Sequence, residues 1–326
     1  MKESVMVGLF TYQRPIYLER QLNFFKDLGF DFRLIILDGS EKQEFRDQNK
    51  VLAAKYQTEY LNEVDIMGRH QLFFKKLDTE FSAWAADDDL IVPSFFTDGA
   101  NFLKENKGYS AIAGKVYTLH YDRWKPNKGY YLRSYLENKY DILYGDLIEK
   151  MVRRDQSYAL GCPPTFYGVK TYEVVEMFNK YITNIKLTTS MERLDEICSL
   201  LLGGIKVIDT LMGFRDYSSD TLRFENRDDP EQYISKEDTL LLQHVICTEL
   251  KDKIDSKDLL EYYASYAWPL PLRLPQGGGD FSGLTGWKRD IESVANLFIA
   301  HRYHKFDKAV TKALRTSMLK YSPNAK

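Results

Sequence analysis

Three consecutive carboxylates, Asp87, Asp88 and Asp89, stand between the largely apolar run Phe81 to Ala86 and the apolar residues Leu90 to Val92. Side chains this close repel one another and raise each other's pKa unless a cation lies between them. Their oxygens are hard ligands, suited to Mg²⁺ or Mn²⁺, and an ion held there can carry a diphosphate. The same cluster also fits a solvated turn or the acidic start of a helix, where free N–H groups and the helix dipole favour aspartate. The surrounding chain decides between these.

Strands are expected at Val5 to Thr11, Phe32 to Asp38, Glu59 to Leu61 and Phe81 to Ala86, as compact apolar runs of the kind covered on both faces. A helix is expected from Pro15, with Ile16, Leu18, Leu22, Phe25 and Leu28 on one stripe and Gly29 as its stop. Val51 to Tyr56 and Leu72 to Leu77 are shorter helical candidates. Alternation of this kind predicts a parallel, doubly wound α/β sheet, whose ligands bind beyond the carboxyl ends of the strands. Thr11 and Tyr12, Asp38, and Asp87 to Asp89 all fall on that edge.

Further along, Tyr109 to Leu119 reads as a strand, 120–157 as an inserted segment rich in Tyr and charge, and Ala159 to Val169 as a strand or turn near the site. Helices are expected at Thr171 to Tyr181 and Ser190 to Leu202, with strand candidates at Lys206 to Ile208 and Leu211 to Arg215. Beyond Asp216 the pattern becomes helical, at Ser235 to Leu250, Lys257 to Tyr266, Trp287 to Ala300 and Phe306 to Leu319. The organisation expected is a catalytic α/β unit over 1–215 and a helical region over 216–326.

Composition excludes several classes. A net charge of −2 and an isoelectric point near 6.3 provide no global field for a nucleic-acid partner. Three widely spaced cysteines, Cys162, Cys198 and Cys247, fit a reducing compartment and no zinc site. No stretch reaches the roughly 18 apolar residues of a membrane span, so a cytoplasmic location is the expectation.

The string VGLFTYQRPIY from Val7, then Leu37-Asp38-Gly39-Ser40, then Ala85-Ala86-Asp87-Asp88-Asp89, resembles in order and spacing the start of a GT-A glycosyltransferase of the family 2 type. The resemblance covers about the first 95 residues and extends more loosely to Arg215. It implies a GT-A, Rossmann-like fold and transfer of a sugar from a nucleotide-sugar to a glycan, a lipid-linked acceptor or another hydroxyl, in bacterial surface polysaccharide synthesis. Thr11, Tyr12, Arg14 and Asp38 occupy the places that hold base and ribose. Asp87 to Asp89 match the DXD motif, with Asp89 first and Asp87 second as ligands of Mn²⁺ or Mg²⁺ and Asp88 either on the ribose or tuning its neighbours. Arg69, in Gly68-Arg69-His70, stands where a basic residue meets the diphosphate or simply begins a helix. His70 reads as structural.

Such a transfer needs a carboxylate to take the acceptor proton, and an inverting reaction needs it opposite the leaving group. Glu192, Asp195 and Glu196 share a helical face, at i, i+3 and i+4, and resemble the acidic segment that carries the base. Asp195 is the first choice and Glu192 the second; salt bridging with Arg193 is the structural alternative. At the end of the chain, Lys308, Lys312, Arg315 and Lys320 alternate with Phe306, Val310, Ala313, Leu314 and Met318. A helix there either rests peripherally on the inner membrane or packs on its own domain. Two other functions share these features. A sugar-phosphate nucleotidyltransferase usually carries a Gly-rich loop after the first strand, and Thr11 to Pro15 has no glycine. A noncatalytic nucleotide or glycan-binding module keeps the fold without turnover.

Overall fold

The computed structural model describes residues 4–121, 167–216, 235–251 and 308–320, with the strand backbones Tyr130–Leu136 and Asp141–Ile142. Strands β1 (Val5–Thr11), β2 (Arg33–Asp38), β3 (Glu59–Asn62) and β4 (Phe81–Ala86) alternate with helices α1 (Pro15–Leu28), α2 (Gln43–Lys55) and α3 (Ile66–Lys76). All four strands run parallel, in the spatial order β3-β2-β1-β4. This registers Thr11 against Asp38 and Phe10 against Ala86, so the three strand ends lie on one edge. Every residue of β1 except Phe10 is buried, as a strand covered by helices on both faces requires.

Beyond β4 the sheet is mixed. A two-residue strand β5 (Leu90–Ile91) follows the acidic turn, and helix α4 (Pro93–Glu105) leads to β6 (Tyr109–Tyr121). Strands β7 (Tyr130–Leu136) and β8 (Asp141–Ile142) pair antiparallel with β6 and with β10 (Gly204–Asp216), and β9 (Val169–Thr171) is wedged between β4 and β6. The two strand candidates around Val207 and Leu211 are one strand, β10, parallel to β6, with irregular register between those residues. A bulge admits extra residues without ending the pairing, which is why the sequence reads as two runs. Other boundaries also move: α2 and α3 begin eight and six residues before the apolar signals Val51 and Leu72, because the polar first turns of α2 carry little periodicity and Gly68-Arg69-His70 interrupts the apolar start of α3.

Helices α5 (Tyr172–Tyr181), α6 (Thr188–Leu202) and α7 (Lys236–Leu250) pack with α3 over one face of the sheet, around Trp84, Phe178, Leu194 and Ile246. Helices α1, α2 and α4 cover the other, around Leu9, Leu22, Phe32 and Phe96. Helix α8 (Lys308–Lys320) returns to α1: Val310, Ala313 and Leu314 enter a core cluster with Phe24, Leu90 and Phe214. Its apolar face is therefore occupied by the chain itself, while Lys308, Lys312 and Arg315 face outward. No helix among the described residues is long and apolar enough to cross a membrane. Expectations for Cys162, Lys257 to Tyr266, Trp287 to Ala300 and most of 120–157 lie outside the described residues.

The acidic turn is fixed from behind by β5, whose Leu90 and Ile91 pair with Phe214 and Gly213 of β10. Gly213 permits this approach, since a Cβ there would lie 2.5 Å from the Leu90 carbonyl oxygen. Gly213→Ala is expected to cost about 1–3 kcal/mol through overpacking, measured as a lower urea midpoint with the denaturant slope unchanged.

Candidate functional site

Asp87 is fully buried at the end of β4, its N–H donating to the carbonyl of Phe10. Thr11 Oγ1 donates to its Oδ2 at 2.6 Å, and Arg14 Nη2 meets its Oδ1 at 2.5 Å. The other Nη of Arg14 reaches Asp88 Oδ2 at 2.9 Å, so one guanidinium bridges two adjacent carboxylates. Burial pushes the pKa of Asp87 up to about 7; Arg14 opposes the shift and Asp88 adds to it. Asp89 is also pushed up to about 7, by burial first and by Asp88 second. Its Oδ1 accepts the backbone N–H of Asp216 at 3.0 Å.

Two residues outside the motif hold this turn. Arg20, 1% exposed on α1, pairs with Asp216 Oδ2 at 2.6 Å and donates to the carbonyl of Asp88, with Tyr17 stacked 4.8 Å from its guanidinium. Arg20 and Asp216 are 196 positions apart in the chain. Neither carries a local sequence signal, because a charged residue on an apolar helix face declares its partner only after folding.

The neighbouring loop is organised by Asp38, fully buried at the end of β2. Its Oδ1 accepts the N–H of Ser40 at 2.7 Å; its Oδ2 accepts Asn49 Nδ2 at 3.0 Å and the Tyr60 hydroxyl at 2.6 Å. Both oxygens are engaged inside the protein, so Asp38 shapes the loop that a ligand would meet. Ser40 Oγ in turn accepts the N–H of Gln13, a non-glycine residue with φ of +52°. Left-handed backbone at such a residue is uncommon and is sustained by its surroundings. Tyr12 is exposed, its hydroxyl donating to Glu41. Arg69 is buried, donates to the Thr11 carbonyl at 3.1 Å, and lies against Gly39, where any Cβ would meet the guanidinium at 2.6 Å. Burial lowers its pKa, while Asp38, Asp65 and Asp87 hold the charge in place. Beneath it, His70 is fully buried between the rings of Phe10, Trp84 and Phe178.

Thr11, Arg14 and Asp87 to Asp89 thus form one cluster, with Tyr12, Asp38 and Arg69 adjoining through the β1 and β2 loops. The acidic helix lies apart. Asp195 is fully buried on α6 and accepts no hydrogen bond from a described residue; Lys170 Nζ stands 3.6 Å away, over the Trp84 ring at 4.2 Å. Lys170 registers with Ser82, five residues before Asp87 on β4, a separation of about 16 Å along the strand. Helix α6 ends at Gly203, where β10 begins beside Gly108, so its amino end points toward the carboxyl edge. Glu192, half-buried, is therefore about 4.5 Å nearer that edge than Asp195. Arg193 pairs with Glu196 at 2.5 Å within the core.

The donor chemistry of the acidic turn fits a hard divalent cation. Such ions take one or two carboxylates and leave other positions to water and phosphate oxygens. A cage of three or more metal-binding side chains is thus not required, and none occurs among the described residues.

Two solved structures share this architecture. Residues 1–349 of S. aureus TarS align with 14% identity and a TM-score of 0.53, over 99% of this chain and 85% of that one. A longer S. aureus TarS structure gives 0.51 at 14% identity, and this chain spans 54% of it. The mannosyltransferase PcManGT from Pyrobaculum calidifontis, in complex with GDP-Man and Mn²⁺, aligns at 0.46 with 11% identity over 100% of this chain and 89% of that one. The shared fold is an open, mixed α/β sheet flanked by helices. No family model and no curated protein matches the sequence.

Two measurements follow from the buried charges. Arg20→Met removes the buried ion pair to Asp216 and is expected to cost about 3–5 kcal/mol, with part of the loss recovered in Arg20→Met/Asp216→Asn; urea unfolding of wild type, each single variant and the double variant checks this. Asp195 is pushed up to about 7, by burial first, with Lys170 opposing and Glu196 adding. Its folded pKa exceeds the unfolded one, so the stability it contributes is present at low pH and is lost as pH rises through about 7. Asp195→Asn is expected to flatten the fall in urea midpoint between about pH 4 and 7, where one such group contributes up to about 1.4 kcal/mol per pH unit.

Proposed function

We propose that the chain is a glycosyltransferase that moves a sugar from a nucleotide-sugar donor to a hydroxyl of a glycan or lipid-linked acceptor, with inversion, using Mn²⁺ or Mg²⁺. The observation that carries this reading is the buried turn Asp87 to Asp89 at the carboxyl edge of the parallel strands, held by Thr11, Arg14, Arg20 and the Asp216 N–H. Ligands of open α/β sheets bind in that crevice.

In this reading Asp89 and Asp87 hold the cation, which when bound supplies charge stabilisation to the departing nucleoside diphosphate. Asp89 offers its Oδ2, since only its Oδ1 is taken by a described residue. Tyr12, exposed beside the loop that Asp38 and Ser40 shape, gives a face for base stacking. Arg69 holds the Thr11 carbonyl, so its guanidinium orients the edge of the nucleotide site. Of the two acidic candidates, Glu192 is favoured as base, because it is half-buried and nearer the edge, whereas Asp195 is closed off beside Lys170. General-base assistance of this kind contributes roughly 10²–10⁴-fold.

Thermal-shift titration with UDP, GDP, CMP and dTDP, with and without Mn²⁺, is expected to show cation-dependent stabilisation by one base, about 2.7 kcal/mol at roughly 100 times Kd. With the matching sugar donor, Asp89→Asn is expected to remove transfer while keeping the fold, and Glu192→Gln to lower kcat by about 10²-fold or more. Full transfer in excess chelator would contradict the cation's role. Release of pyrophosphate from a nucleoside triphosphate and a sugar phosphate would replace this reaction with nucleotidyl transfer.

A further inference from the structure

Arg14 and Arg20 both touch the acidic turn, and they are held differently. Arg20 is enclosed, with partners on Asp216 and on the Asp88 carbonyl, and it shares the Tyr17 ring with Arg14, at 4.8 Å against 5.6 Å. Arg14 stands on the loop between β1 and α1, its side chain 20% exposed. Its two Nη atoms divide between Asp87 Oδ1 and Asp88 Oδ2, and its buried Nε has no hydrogen-bond partner among the described residues. It therefore makes one contact to each of two carboxylates and leaves the fork of Nε and Nη without a planar, bidentate partner. The loop that carries it passes through the left-handed Gln13 and is tied to the β2 loop by Ser40, which fixes the backbone from which the side chain departs.

A guanidinium and a divalent cation compete for such oxygens. Both neutralise the same pair of charges, and two cations within about 4 Å repel by several kcal/mol at the effective dielectric near a protein surface. A diphosphate changes the balance by supplying a second set of anionic oxygens in the planar spacing that arginine prefers. Resting on the reading of the turn as a cation and diphosphate site, we propose that Arg14 is an exchangeable counter-cation. It bridges Asp87 and Asp88 while the turn carries no ion, and it moves to the diphosphate oxygens when a divalent cation takes the carboxylates. Arg20 stays in place throughout and keeps the turn in shape. Donor and cation then bind cooperatively, since each creates the position the other needs: the cation frees Arg14, and the diphosphate receives it.

The test is manganese binding, read by the loss of the free Mn²⁺ electron paramagnetic resonance signal and by melting temperature, on wild type, Arg14→Ala and Arg14→Lys. Each is titrated with Mn²⁺ alone and with Mn²⁺ plus the nucleoside diphosphate chosen by thermal shift. Arg14→Ala is expected to bind Mn²⁺ alone more tightly than wild type, on the order of ten-fold. Its ion-free form is expected to melt below wild type, and saturating Mn²⁺ to narrow that gap. The strengthening of Mn²⁺ binding by the diphosphate, large in wild type, is expected to shrink in the variant. If Arg14→Ala does not fold, Arg14→Lys decides, because an ammonium keeps the charge but lacks the two separate nitrogens that meet Asp87 and Asp88; its affinity for Mn²⁺ alone should also rise. Affinities equal to or weaker than wild type in the folded variant overturn the proposal. Manganese binding that ignores Arg14 removes only the exchange, whereas the absence of manganese binding in all three proteins removes the reading of the site itself.

Discussion

Concentrated negative charge in a place with little water is the constraint on which this structure depends. Asp87 and Asp89 are buried, Asp88 lies between them, and Asp216 comes in from the far end of β10. An uncompensated carboxylate in such a place costs several kcal/mol, and neighbours of like charge raise the cost. The protein answers with Arg14 and Arg20, with the Thr11 hydroxyl, and with a backbone N–H aimed at Asp89. Each answer comes from a different element, so holding the charge also holds β1, α1, β5 and β10 together at one edge. Stability and site are the same set of contacts here.

Much of this frame is legible in the sequence because burial on both faces makes β1, β2 and β4 continuous apolar runs. Polar residues that end those runs are then brought together by a parallel register, which needs no side-chain information. Thr11 beside Asp38 and Asp87 is the direct outcome. The short strands are different. With two and three residues, β5 and β9 are too brief for a period, and they exist because longer strands offer them free hydrogen-bonding edges. Helix α4 did carry a signal, Pro93 at its first position and Phe96, Ala100 and Leu103 on one face, which the preceding apolar run obscures.

The cluster proposed as the site was legible in its acidic and β1 residues and opaque in its supports. Arg20 reads as an ordinary helical residue, and Asp216 as the close of a strand; their pairing depends on folding 196 positions of chain. The acidic helix shows the converse. Periodicity places Glu192, Asp195 and Glu196 on one face, yet only burial separates them, with Asp195 and Glu196 inward on Lys170 and Arg193 and Glu192 half-buried. The C-terminal helix follows the same logic: an amphipathic pattern says that one face is covered, and α1 is what covers it.

The central claim is that the turn after β4 holds a divalent cation that carries a diphosphate. Diffraction at the manganese absorption edge, from crystals soaked in MnCl₂ and the nucleoside diphosphate that stabilises the protein, tests it most directly. The account predicts one anomalous peak within about 2.3 Å of a carboxylate oxygen of Asp89 or Asp87, with phosphate oxygens completing its shell. A nucleotide bound elsewhere, with those carboxylates still closed on Arg14 and no peak beside them, would contradict it.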